Sequence, residues 1–272
     1  MFRPSSPDDT PALRELWKKC FDADPAFLDL YFGKGTELCR TFVLEEQSAI
    51  VSALSVFDIN DGDSKGGYVY GVCTHPAHRG RRYAVSLLKY VEDIYFRKGY
   101  KFFILRPASP TLFSYYRNIG YDRTLYVDRI TEKLPLIPTE LPLKPLSGER
   151  LYILRKRMCR QSQLFEWSED MCRYILSYID YCDGLAYETY DGAYLICIPD
   201  TATTGNIICE EWGQSGDRRM DLIKSAAKTL FTDAQNIIFK RPSTGRGEEY
   251  ALYTTSTNHN LSPTILFNFT ME

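Results

Sequence analysis

The chain has 272 residues, 44% hydrophobic and 25% charged, with 33 Lys and Arg against 35 Asp and Glu for a net charge of -2. This composition excludes collagen-like, low-complexity and wholly disordered classes, and near-neutrality argues against a broad nucleic-acid or anionic-membrane surface. No apolar run approaches the ~20 residues of a membrane span, and MFRPSSPDDT lacks the profile of a secretion signal, so a cytoplasmic protein of one large or two compact domains is expected.

In chain order, Leu13, Leu16, Trp17 and Cys20 share a helical face after Pro7-Asp8-Asp9, and DPAFLDLYFG suggests a second, shorter helix. The period then changes. RTFVLEE and AIVSALSVF read as strands, DINDGDSKGG as a turn, and YVYGVCT as a third strand. From Ala84, apolar residues recur at three- and four-residue intervals up to Gly99, which predicts a helix stopped by a left-handed glycine. KFFILRP follows as a strand, SPTLFSYYRNIG as a helix capped by Ser109 and ended by Gly120, and YDRTLYVDRI as a closing strand.

Pro135, Pro138, Pro142 and Pro145 recur too closely for a helix or a central strand, so residues 134–149 read as an extended connector. It separates a first domain, 1–133, from a second, 150–272. In the latter, residues 151–167 and 168–182 look helical, LAYETYDGAYLICIP reads as a hairpin around Asp191-Gly192, and NIICEEW as a strand. DRRMDLIKSAAKTLF supplies a helix, while NIIFKRP and TILFNF are later strands. The class is mixed α and β, with the element order of the first half repeated faintly in the second.

Eight cysteines are scattered without a CxxC pair, and the three histidines show no structural-zinc spacing, so reduced core thiols are expected and no metal. The segment that carries chemistry is THPAHRGRRYA, where a strand turns into a helix. The first N–H groups of a helix lack internal partners and lie at the positive end of its dipole. With Gly80 for a tight turn and Arg79, Arg81 and Arg82 for charge, the stretch predicts a site for a pyrophosphate-sized anion. Neither GxxxxGK[ST] nor GxGxxG occurs, so the common nucleotide loops do not explain it.

THPAHRGRRYAVSLL resembles the coenzyme A loop of the GNAT acetyltransferase superfamily, an R/Q-x-x-G-x-G/A pattern between the fourth strand and third helix. Arg79 takes the R/Q position, Ala84 the final G/A, Gly80, Arg81 and Tyr83 variable ones, and Arg82 stands where the inner glycine is usual. Downstream, Tyr116-Arg117-Asn118-Ile119-Gly120-Tyr121 resembles the family's Y-x-x-x-G-F pattern. The resemblance covers about residues 1–133. It implies a GNAT fold, a central mixed and mostly antiparallel sheet flanked by helices, followed by a second, degenerate GNAT-like copy.

What the resemblance further implies is direct transfer of an acetyl group from acetyl-CoA, a co-substrate, to a primary amine. The backbone near Val72, Cys73 and Thr74 would hold the thioester, Arg79 to Ala84 the diphosphate, and Tyr116 would protonate the departing thiolate. Tyr115 is the competing phenol. His75, Glu45, Glu46 and Asp58 are candidates for a base that stays unassigned, and Cys73 with His75 offers a less favoured covalent route. Phe27, Tyr31 and Phe32 are candidates to line the acceptor pocket, with Asp22, Asp24 and Asp29 attracting a cationic amine, a small molecule in preference to a protein. Arg82 at the glycine position motivates the other reading, a non-catalytic acyl-CoA sensor or interaction module.

Overall fold

A computed structural model describes residues 1–62, 64–159, 164–190, 192–213, 220–245, 247–256 and 259–262. The backbone divides into two compact units, Met1–Thr124 with Ala251–Leu261, and Leu125–Tyr250 with Ser262. The division falls at 124/125 and not at 133, and its reason lies in strand pairing.

In unit one, β1 (Phe2–Pro4) precedes α1 (Thr10–Phe21) and α2 (Pro25–Gly33), and β2 (Cys39–Glu46), β3 (Ala49–Asp61) and β4 (Ser64–Thr74) form an antiparallel meander. β1 pairs with β2 through Phe2↔Leu44 to Pro4↔Phe42. Three residues ending in proline hold no period, which is why the sequence reading passed over it. α3 (Tyr83–Arg97) then crosses to β5 (Phe102–Leu105), parallel to β4, and α4 (Pro110–Arg117) follows. Successive strand residues face opposite sides. Accordingly Val69 joins Leu87, Leu88, Val91 and Tyr95 of α3 in one core, whereas Tyr70 lies 5.7 Å from the Trp17 ring of α1.

The turn predicted at DINDGDSKGG is shorter than expected, because Asp58–Asp61 extends β3 and Ser64–Gly67 opens β4. Gly66 and Gly67 are paired with Phe102 and Phe103 of β5, and a Cβ on either would collide with the facing ring. These glycines are there to let two aromatic side chains lie against the strand, not to turn it.

In unit two, β6 (Arg123–Lys133) leads into the proline-rich segment. There β7 (Leu143–Pro145) pairs antiparallel with β8 (Leu185–Thr189), a strand the connector reading missed. Pro145 is tolerated because β7 is an edge strand. Between them lie α5 (Gly148–Cys159) and α6 (Glu169–Tyr181); α5 ends before Leu164–Trp167, which the sequence had assigned to the helix. β9 (Tyr194–Pro199) and β10 (Asn206–Gly213) continue antiparallel, α7 (Met220–Leu230) crosses, and β11 (Asn236–Ser243) lies parallel to β10. Strand, two helices, three strands, helix, parallel strand is the order of unit one again. The predicted strand at 264–269, the turn residue Asp191 and the loop 214–219 lie outside the described residues.

Each unit takes its last strand from the other side of the chain. β6 runs antiparallel to β11 from Tyr126↔Ser243 to Lys133↔Asn236, while residues 252–255 of β12 (Glu248–Thr255) run antiparallel to β5. Pairing along β6 therefore moves residues 125–133 into unit two.

Beyond the last β10–β11 backbone pair, Cys209↔Phe239, the two strands are bridged by side chains. Lys240 Nζ donates to both carboxylate oxygens of Glu210 at 2.6 and 2.8 Å, and the pair is buried. Next to it Arg155 meets Glu211 at 3.3 Å, and the Tyr194 hydroxyl donates to Glu211 at 2.7 Å. Removing one partner of such a pair strands a buried charge, so Lys240→Met is expected to lower stability in urea denaturation by about 3–5 kcal/mol, with most of it recovered in Glu210→Leu/Lys240→Met.

Candidate active site

β5 accompanies β4 only from Gly66↔Phe102 to Tyr68↔Ile104, so residues 69–74 have no β5 partner. The departure coincides with a bulge. The register against β3 slips between Ala53↔Cys73 and Ser55↔Tyr70, with Gly71 at φ +61. A side chain at Gly71 would run into Trp17, so glycine is required by both conformation and space. His75 N donates to Val51 O at 2.9 Å on the β3 side. Amides alternate along a strand, so the N–H of Thr74 is turned to the edge that β5 has left.

The chain then makes a 3₁₀ turn, Pro76–His78, capped by His75, whose Nδ1 accepts from Ala77 N at 3.3 Å. Gly80 (φ +79) and Arg82 (φ +61) are both left-handed, and α3 begins. Ser86 N donates to Arg82 O at 3.0 Å, so the N–H groups of Tyr83, Ala84 and Val85 precede the helical ladder. Arg82 caps none of them with its side chain, and the first turn holds no acidic residue. The positive end of a 15-residue helix is thus left for an anion.

The arginines divide their work differently from the sequence reading, which set all three on the anion. Arg79 Nε donates to Thr74 O at 3.3 Å, folding back on the strand end. Arg81 is 3.5 Å from Glu46, the last residue of β2. Glu46 also accepts from the Tyr83 hydroxyl at 2.7 Å and stands 3.0 Å from His78 Nδ1. The Tyr83 hydroxyl, followed by His78 and the Arg81 charge, holds the Glu46 carboxyl below its ordinary range. Glu46 is therefore the post to which the loop is tied, a role its isolated place in the sequence gave no signal of.

Tyr116 and Tyr115 are adjacent in sequence and opposite in setting. Tyr116 is 8% exposed and Tyr115 38%. Tyr116 packs in the core that Val69 shares with α3, and burial, then the neighbouring Tyr115 and Cys73, raise its hydroxyl above its ordinary range. Burial raises the Tyr115 hydroxyl too, with the Arg82 charge opposing it.

Other candidates are committed elsewhere. Glu45 binds Arg3 at 2.9 Å and Asp58 accepts from Tyr100 at 2.8 Å. His75, its Nε2 3.3 Å from Lys19 Nζ, is shifted downward by desolvation first and then by Lys19, His78 and Arg79. Cys73 is buried and its thiol raised, a setting that opposes a thiolate there. Tyr31 is core, donating to Ser55 at 2.8 Å, while Phe27 and Phe32 stay half-buried at 6.2 and 5.7 Å from Trp17. Asp24 caps α2, Asp29 pairs with Arg14, and Asp22 closes α1 in a left-handed conformation. No group of three metal-binding side chains occurs among the described residues.

Residues 1–124 match the family described as an acetyltransferase (GNAT) domain. They are a GNAT acetyltransferase domain. Among solved structures, a probable N-acyltransferase of Enterococcus faecalis V583 matches with a TM-score of 0.74 at 12% identity, over 93% of this chain and 72% of that one. A GCN5-related N-acetyltransferase of Kribbella flavida gives 0.69 at 12%, over 94% and 70%. A tandem GNAT protein of the clavulanic acid pathway gives 0.58 at 9%, over 96% and 99%. These likenesses establish the fold across both units. No protein of curated function matches. No described helix is long and apolar enough to cross a membrane.

At the position where the GNAT loop pattern has its inner glycine, Arg82 is left-handed, with φ +61. A β-branched residue there is costly. Arg82→Val is expected to lose about 1–2 kcal/mol in thermal or urea unfolding, whereas Arg82→Gly keeps stability within about 0.5 kcal/mol, strain relief offsetting chain entropy.

Proposed function

We propose that the GNAT domain transfers an acetyl group from acetyl-CoA directly to the primary amine of a small molecule. The observation that carries this is the uncapped N-terminus of α3 following a strand edge that β5 has left, with Tyr116 buried in the neighbouring core. The amides of Tyr83, Ala84 and Val85, with Gly80 and the Arg82 charge, fit a diphosphate. Arg81 and Tyr83 act through their side chains on Glu46, and so shape the loop.

Acetyl-CoA would supply the activated acyl group. On the chain's side, the edge around Val72, Cys73 and Thr74 would align the pantetheine arm and offer an N–H to the oxygen that gains charge during attack. Tyr116 would give its proton to the departing sulfur. Because burial raises its pKa, this acid form persists as pH rises toward the range where an amine becomes neutral and nucleophilic. The base would not be His75, Glu45, Glu46 or Asp58 in their present pairings, which favours loss of the amine proton to solvent before attack. Unit two, its strands bridged by Glu210 and Lys240, is read as the degenerate copy with no acyl site of its own.

Arg82 in the glycine position favours one other reading, an acyl-CoA sensor without turnover. Calorimetry with coenzyme A and a thiol-release assay over an amine panel separate the two. Transfer predicts one coenzyme per chain and release with at least one amine; binding without release across the panel favours the sensor. Tyr116→Phe is expected to lower kcat by about 100-fold or more while leaving coenzyme A affinity unchanged, and undiminished turnover would remove the acid role.

A further inference from the structure

The edge that β5 leaves is set from behind, by a side chain of β3. Ser52 is fully buried and stands opposite Thr74 in the register of β3 on β4. Its hydroxyl donates to Cys73 O at 2.7 Å, and its oxygen lies 3.0 Å from Thr74 Oγ1. With the one Ser52 proton spent on the carbonyl, the Thr74 hydroxyl is the donor of the second bond. Cys73 O belongs to the peptide group whose N–H is that of Thr74, and a trans peptide points the two in opposite directions. The carbonyl reaches β3. The N–H is therefore aimed at the free edge, in agreement with the inward bond from His75 N to Val51 O.

The neighbouring acceptor is covered. In extended backbone the N–H and C=O of one residue point to the same side, so Thr74 O shares the edge with Thr74 N–H. A bare carbonyl there would repel an oxygen that gains negative charge. Thr74 O instead accepts from the Cys20 thiol and from Arg79 Nε, each at 3.3 Å. What Thr74 offers the edge is thus a donor, with the Arg79 guanidinium on its own carbonyl. Ser55, the next buried serine of β3, is engaged by Tyr31 and Thr41 at 2.8 Å. Hydrogen bonds in series polarise one another, and a bond accepted at C=O draws electrons from the amide nitrogen, so that its N–H donates more strongly. The Thr74 hydroxyl, the Ser52 hydroxyl and the Cys73–Thr74 peptide form such a series, and its last donor faces the edge.

We propose that Ser52 is a positioning residue for acetyl transfer, its hydroxyl clamping the Cys73–Thr74 peptide so that the Thr74 N–H is held and polarised as the donor to the thioester oxygen. This rests on the reading that the β4 edge binds the thioester. As the neutral amine forms its bond to the acyl carbon, the carbonyl electron pair moves onto that oxygen, and the charge is greatest when the Thr74 donor is most needed. The C–S bond then breaks as the carbonyl re-forms, and the sulfur leaves with its electron pair and takes a proton. Ser52 makes and breaks no covalent bond.

The test compares the full chain with Ser52→Ala and Ser52→Thr in three measurements. These are steady-state turnover of acetyl-CoA with the amine of the panel used fastest, calorimetry with coenzyme A, and the amide spectrum of protein carrying isotopically labelled threonine, where the Thr74 signal is the one that Thr74→Val removes. Ser52→Ala is expected to lower kcat about tenfold, well short of losing an oxyanion donor outright. Because the lost strength counts only as charge develops, KM for acetyl-CoA and coenzyme A affinity stay within about twofold. The Thr74 amide proton moves upfield in the same variant. Ser52→Thr keeps a hydroxyl and recovers most of the rate and of the shift. Should Ser52→Ala fold poorly, Ser52→Cys, with nearly the volume of serine and a weak donor, reads the same quantities. A Thr74 amide unmoved by loss of the hydroxyl, or coenzyme A affinity falling as far as kcat, overturns the proposal. A wild-type chain that releases no thiol with any amine counts against the proposed function, and the Thr74 amide then still decides whether Ser52 sets that donor.

Discussion

The divergence of β4 from β5 is the constraint on which the rest depends. Up to Tyr68 the two strands are held together as closely as a sheet allows, because Gly66 and Gly67 admit the rings of Phe102 and Phe103. Three residues later Gly71 adopts a left-handed conformation beneath Trp17, the register against β3 slips, and the edge beyond is left without a strand. Backbone donors ordinarily absorbed by a neighbouring strand become available to a ligand. The opening is made by packing that is tight on one side of the bulge and absent on the other.

The same strand delivers the chain to an electrostatic site. The loop after β4 is kept in shape by Glu46, which gathers a phenol, an imidazole and a guanidinium from three residues of the loop and following helix. With those side chains engaged on Glu46, no side chain of Arg82 and no acidic residue caps the start of α3. In unit two the corresponding place in the same order of elements is filled differently. β10 and β11 also part after a bulge, but the place is taken by Lys240 on Glu210 and Arg155 on Glu211. The buried carboxylates and cations there satisfy one another across the two strands.

Much of this was legible in one dimension. The helical periods of α1, α3 and α6, the alternation of β2 to β4 and the proline cluster each express a local rule, and the loop from Arg79 to Ala84 with the Tyr116 to Tyr121 pattern sufficed to indicate the family resemblance. Short or edge elements were not legible. β1 and β7 are three residues each and owe their existence to a partner strand, and Gly66-Gly67 looked like a turn because sequence does not reveal a ring from β5 on the other side.

What the sequence determined by itself was chemistry carried by neighbours along the chain: an anion-ready helix start, a tyrosine pair ahead of a glycine, and a repeated order of elements. Tertiary structure alone decided which of the two phenols is buried, that Glu46 ties the loop, that the Cys20 thiol reaches Thr74 O, and that the last strand of each unit comes from beyond its sequence boundary. The reason is physical. Propensity and periodicity are set within a turn or two, whereas burial, charge pairing and strand partnership are set by residues tens to more than a hundred positions away, and those act only when the chain has folded.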